Sequence, residues 1–281
     1  MFYHDGGKLQ YPVKVTNPNP VFARALQQAI GGVEGEIRVC LQYLFQAFGA
    51  RGPDTKYRDM LLHTGTEEIG HIEMLATAVA LNLEGSPTQM EEAAKDPIIL
   101  AKLGGMNFRH FLSTTLCALP VNAEGVPFDC SHVYASGNLA ADMLANVVAE
   151  STGRMLACQL YKLTDDPGMK DMLKFLIARD TMHQNQWLAA WQELGGPKSH
   201  PIPDSFPQDQ ELREVSYQFF YTGKDDTVPK TPNPATQGRS FDGRAEFAPV
   251  DWKPRGEVPN LGPASPKTGA QAAQIGGAAK K

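Results

Sequence analysis

Cysteine is scarce and scattered in this sequence: Cys40, Cys117, Cys130 and Cys158 are the only four in 281 residues, and no Cys-x-x-Cys occurs. That excludes a disulfide framework and predicts reduced, packed thiols in a reducing compartment. A basic run is also missing. Lys and Arg number 26 against 31 Asp and Glu, giving a formal net charge of -5, which argues against nucleic acid or an anionic membrane as partner. No stretch is long and apolar enough to span a bilayer. The N-terminus, Met-Phe-Tyr-His-Asp-Gly-Gly, has neither the basic nor the apolar region of a secretory signal. Together these absences predict a cytoplasmic protein. What remains is an ordinary globular composition, 42% hydrophobic and 20% charged, on a chain long enough to bury a sizeable core.

Helical periodicity dominates the first 196 residues. Residues 1 to 18 show turn residues and no periodicity, which predicts an extended surface arm. Asn19-Pro20 is a cap followed by proline at the first helical position, and the apolar spacing from Val21 to about Phe48 predicts one helix. A second follows from about Thr55 to Leu83. The segment from Glu84 to Ser136 is long and mixed, with a short helical stretch around Asn107 to Leu119, and it suits a crossover connection. A third helix starts near Gly137-Asn138 and runs to about Leu163, and a fourth follows Asp165-Asp166-Pro167 to Leu194, where Gly195-Gly196-Pro197 stops it. The pattern predicts an all-α, ferritin-like four-helix bundle over residues 1–196. From Pro197 to Lys281 more than half of the 21 prolines accumulate beside many aromatic residues. That composition predicts an extended C-terminal arm without a core of its own, burying its rings against the bundle or a neighbouring subunit, and ending in a low-complexity stretch from about Arg255.

Charged residues on the apolar faces carry the chemistry. Glu68 and His71 stand three apart on the second helix, Asp180 and His183 three apart on the fourth, and Glu36 and Glu150 interrupt the apolar faces of the first and third. A buried carboxylate is costly unless a cation or hydrogen bonds compensate it. Glu, Glu-x-x-His, Glu and carboxylate-x-x-His from four helices make the ligand set of a two-metal site inside a bundle. Oxygen and imidazole donors without thiolate suit manganese or iron, and a redox-active pair of such ions points to dioxygen or peroxide chemistry. Glu67 also lies within one turn of His71. His63, His110 and His132 have no partner at ligand spacing and read as surface or packing residues.

Several segments resemble the non-haem manganese catalases: Leu26-Gln-Gln-Ala-Ile-Gly-Gly-Val-Glu-Gly-Glu36, Thr64-Gly-Thr-Glu-Glu-Ile-Gly-His71, Ser136 to Met143, Asn146-Val-Val-Ala-Glu150 and Asp171 to His183. The likeness runs from Lys8-Leu-Gln-Tyr11 to Gly196. It implies that Glu36, Glu68, His71, Glu150 and His183 bind two manganese ions per subunit, with Glu68 as the bridging carboxylate. It further implies a homo-oligomer, a hexamer whose C-terminal arms wrap around neighbours. The implied reaction converts two hydrogen peroxide molecules to dioxygen and two waters while the metals cycle between Mn(II)/Mn(II) and Mn(III)/Mn(III). Calcium near the subunit contacts is implied at Asp59, although His63 stands where a carboxylate would help.

Two departures stand out. Ala149 occupies a position where some members carry arginine. Asp180 replaces a glutamate that contacts metal-bound solvent and, although shorter by a methylene, is the candidate general acid/base. Two other readings share the pattern: a di-iron ferritin-like oxidase that draws Asp180 onto the metals, and a structural coat or assembly protein with low turnover.

Overall fold

The computed structural model describes residues 6–51, 55–86, 116–199, 208–221, 233–252, 256–260 and 262. Among the described residues, five long helices organise the N-terminal part: α1 (Pro20–Gly31), α2 (Glu36–Gly49), α3 (Thr55–Asn82), α4 (Leu139–Leu163) and α5 (Pro167–Glu193). α2 packs chiefly on α3 and α4 on α5, and α1 lies against α3. The bundle is thus built from two helix pairs, with α1 added against one of them.

Local chemistry sets the helix ends. The Asn19 side chain accepts from the backbone N–H groups of Val21 and Phe22, and Asn138 does the same for Ala140 and Ala141. At α5, Asp166 Oδ1 accepts from Gly168 and Met169 N–H at 3.0 Å each, while its Oδ2 accepts from Thr16 and Asn17 at 2.7 and 3.0 Å. Four N–H groups outweigh the burial that would raise this carboxyl, and its pKa falls below the usual value.

The sequence differs from its expected fold in three places. The single helix expected from Val21 to Phe48 is two, broken at residues 32–35. A Cβ on Gly32 would lie 2.4 Å from the Gln28 carbonyl oxygen and one on Gly35 2.7 Å from that of Ile30, so the glycines let the chain fold back on its own last turn. The N-terminal arm does have a period, of two. Leu9, Tyr11, Val13 and Val15 pack on the core while the residues between them are exposed. Most of the helical stretch expected at Asn107 to Leu119, with His110, lies outside the described residues, and Leu116 to Leu119 are not helical.

Two apolar clusters fill the bundle. One gathers Phe22, Leu26 and Ile30 of α1 with Met74, Leu75 and Val79 of α3 and Met172, Leu173 and Leu176 of α5. The other gathers Val39 and Tyr43 of α2, Leu61 of α3, Met143 and Ala149 of α4, and Trp187 and Ala190 of α5. On α3, α4 and α5 the residues between the clusters are polar: Glu68 and His71, Glu150, and Asp180 and His183, all buried.

The chain divides into two compact units, Met1–Phe206 and Pro207–Lys281. Among its described residues the second contains three strands, β1 (Gln218–Tyr221), β2 (Gly238–Arg239) and β3 (Glu246–Asp251), in the order β1-β3-β2. β1 runs parallel to β3 and β2 antiparallel to it. Some of the rings expected to need a neighbour instead meet each other: Phe220 stacks on Trp252 at 4.1 Å and Tyr217 lies 6.3 Å from Phe247.

Candidate metal centre

The break between α1 and α2 makes Glu36 the first residue of α2 and aims it at α3. There Glu68 and His71 sit one turn apart and point inward. Glu68 reaches both imidazoles, its Oε2 2.6 Å from His71 Nδ1 and its Oε1 3.0 Å from His183 Nδ1. Glu36 Oε2 lies 3.8 Å from His71 Nδ1 and Glu150 Oε1 3.6 Å from His183 Nδ1. The two rings stack at 5.9 Å. Two donor groups result, Glu36–Glu68–His71 and Glu68–Glu150–His183, and they share Glu68. All five expected ligands are brought together.

The donor set fits divalent cations. Both oxygens of Glu68 and Nδ1 of His71 and His183 are buried and form no well-directed hydrogen bond, a costly arrangement for bare polar groups. Charge is unbalanced as well. Burial, then the Glu68 charge, pushes Glu36 up to about 7. Burial, followed by Glu36, Glu150 and Glu68, pushes Asp180 up to about 9. His183 rises to about 12 because Glu150, Glu67 and Glu68 together override its burial. Carboxylates that repel one another while sharing two protonated imidazoles are a cluster short of positive charge. Hard oxygen and imidazole donors match manganese. The nearby Cys40 is not a donor: its thiol faces the Gly65 carbonyl at 3.4 Å, and burial pushes its pKa up to about 12.

Asp180 belongs to neither donor group among the described residues. It lines a small cavity of about 20 Å³ with Glu36, Glu150, Ala149, Glu34 and Gly153, room for a water-sized molecule. Ala149 is thus part of the wall beside Glu150. Asp59 and His63 are exposed one turn apart on α3, and His132 is exposed in a short 3-10 turn; none of them joins a donor group among the described residues.

In the layer behind the donors, sequence reasoning passed over the roles of Tyr43, Trp187 and Arg179 and placed Glu67 only within a turn of His71. The Tyr43 hydroxyl donates to Glu150 Oε1, and Trp187 Nε1 approaches the same atom at 3.5 Å. Glu67 backs both histidines and is gripped by Arg179. A signal existed for that pair, because Arg179 stands four residues before His183 as Glu67 stands four before His71.

Residues 1–281 match the family described as manganese-containing catalase. The chain belongs to that family. A manganese catalase of Bacillus subtilis is 46% identical over 269 residues, covering 95% of this chain and 96% of the relative. One from Lactiplantibacillus plantarum is 39% identical over 220 residues, covering 78% and 80%. The fold is similar to that of the crystal structure of a manganese catalase from Anabaena, with a TM-score of 0.67 at 22% identity over 89% of this chain and 99% of that one. The protein is therefore a catalase, an enzyme that disproportionates hydrogen peroxide, and manganese is its metal. Membership in the family disfavours the di-iron oxidase and the structural reading.

Proposed function

We propose that this catalase holds two manganese ions, one in Glu36–Glu68–His71 and one in Glu68–Glu150–His183, with Glu68 common to both. The observation that carries the reading is that pair of three-residue donor groups, in which both oxygens of Glu68 and Nδ1 of each histidine are buried without a hydrogen bond. Two such ions supply the two-electron oxidation of one peroxide and the reduction of the next. The chain's residues supply the rest. The cavity beside Glu36 and Glu150 admits a small molecule and little else. Asp180, facing that cavity, takes a proton from one peroxide as it is oxidised and gives it to the oxygen that leaves as water when the O–O bond of the next one breaks.

The assembly we favour is a homo-oligomer, a hexamer with exchanged C-terminal arms. It is supported by the exposure of Phe45 and Phe48, which pack edge to face on α2, and of Val148 and Met155 on α4. Calcium at Asp59 would need donors from a neighbouring chain. The reduced cysteines and the lack, among described residues, of a helix able to cross a membrane are consistent with the cytoplasm.

The test is the stoichiometry of dioxygen released to peroxide consumed after loading with manganese and, in parallel, with iron. One dioxygen per two peroxides with manganese alone is the expected result. In Asp180→Asn the manganese content should stay at two per chain while turnover falls roughly 100-fold, the usual weight of a general acid/base. Undiminished turnover would remove Asp180 from the reaction.

A further inference from the structure

One carboxylate stands behind both imidazoles. Whereas Glu68 meets the Nδ1 edges of His71 and His183, its neighbour Glu67 meets their opposite edges, with Oε1 3.5 Å from His71 Nε2 and Oε2 3.2 Å from His183 Nε2. Glu67 is itself fixed from outside. Arg179 donates from Nε to Oε1 at 2.6 Å and from Nη2 to Oε2 at 3.3 Å, and Gln10 of the N-terminal arm donates to Oε1 at 3.1 Å. The arm is fitted to this place, since a Cβ on Gly70 would approach Gln10 Oε1 to 3.0 Å. A neutral imidazole with its proton on Nε2 has its lone pair on Nδ1. Which nitrogen is free to bind a cation is therefore decided by what the other one meets.

We propose that Glu67 is a positioning residue for both halves of the centre at once. Its two oxygens take the Nε2 protons of His71 and His183 and turn both Nδ1 lone pairs toward Glu68. The proposal rests on reading the two donor groups as manganese sites. In a bundle where each histidine had its own outer partner, the sites could be tuned separately; here one side chain sets both. The chemistry demands a carboxylate, because it accepts at two oxygens, whereas an amide accepts at one and donates at the other. Arg179 and Gln10 act through Glu67, so the arm contributes to the centre without touching a donor.

The experiment compares full-length wild type, Glu67→Gln, Glu67→Ala and Arg179→Gln, each loaded with Mn(II) and passed into metal-free buffer. Manganese per chain is measured by elemental analysis, the Mn(II) electron paramagnetic resonance spectrum distinguishes coupled pairs from isolated ions, and circular dichroism checks the fold. Wild type should retain two ions per chain as a coupled pair. Glu67→Gln, nearly identical in shape, should retain one and bind the other roughly 10–100-fold more weakly, the usual effect of losing an outer partner of a ligand. The coupled spectrum should give way to that of an isolated ion. Glu67→Ala should weaken both, and Arg179→Gln should give an intermediate loss. Two ions bound with wild-type affinity and an unchanged spectrum in both Glu67 variants would overturn the proposal and leave Glu67 a structural partner of Arg179. A wild type that retains no coupled pair would instead remove the two-manganese reading beneath it.

Discussion

Asn146 lies at the centre of a buried polar knot, and replacing it with alanine should destabilise the bundle out of proportion to the atoms removed. Its Oδ1 accepts from Gln42 Nε2 at 2.8 Å and Gln46 Nε2 at 2.9 Å, and its Nδ2 donates to Gln46 Oε1 at 2.7 Å. All three side chains are buried. Gln46 Nε2 also reaches the Tyr134 carbonyl, and Gln42 Oε1 accepts from Tyr134 N–H, so those atoms keep a partner. Gln42 Nε2 and Gln46 Oε1 do not. A buried polar group left unsatisfied costs about 1–3 kcal/mol, so Asn146→Ala should lose about 4 kcal/mol in all. Urea unfolding at fixed manganese concentration measures it, because bound metal shifts apparent stability by mass action. A loss below about 1 kcal/mol for Asn146→Ala would refute the account.

Other outcomes follow from the same geometry. Manganese loading at pH 7 should release protons, since Asp180, Glu36 and His183 have pKa values of about 9, 7 and 12 in the metal-free cluster; calorimetry in buffers of different ionisation enthalpy reads the number. These raised values also fix a sign. The metal-depleted protein holds protons that the unfolded chain has lost, so its unfolding midpoint should fall steadily from about pH 5 to 9, and a midpoint that rises would contradict the cluster's charge. Filling the cavity wall with Ala149→Leu should reduce kcat/KM for peroxide at unchanged manganese content, with overpacking costing about 1–3 kcal/mol of stability. In Gly168→Ala the new Cβ would lie 2.2 Å from the Lys14 carbonyl oxygen, so limited proteolysis should cut the N-terminal arm faster than in wild type.

The donors were legible because burying charge is rare enough to stand out against apolar periodicity. Glu68 and His71 fall between Leu61 and Leu75, and His183 falls between Leu176 and Trp187, so spacing alone placed them inside. The outer layer was not legible by that route. Tyr43 and Trp187 look like core aromatics in any helical pattern, and only the fold shows that their polar tips share Glu150. The break at residues 32–35 escaped notice because the apolar spacing continues across it, while Gly31, Gly32 and Gly35 were the better guide. The arm was misread for a different reason. Leu9, Tyr11, Val13 and Val15 alternate as a strand does, but they pair with no strand among the described residues and lie instead on helices.

Asp166 joins two parts of the chain that are made far apart in time. The same carboxylate that caps α5 holds the backbone of Thr16 and Asn17, some 150 residues earlier. On a ribosome the arm therefore emerges before the four helices α1 to α4 that precede Asp166 and waits for them before its anchor exists. Throughout that interval the alternating face of Leu9, Tyr11, Val13 and Val15 has nothing of its own to cover it, and an uncovered strand-like face can pair with another chain. The helix that Asp166 caps is the one that makes the arm safe.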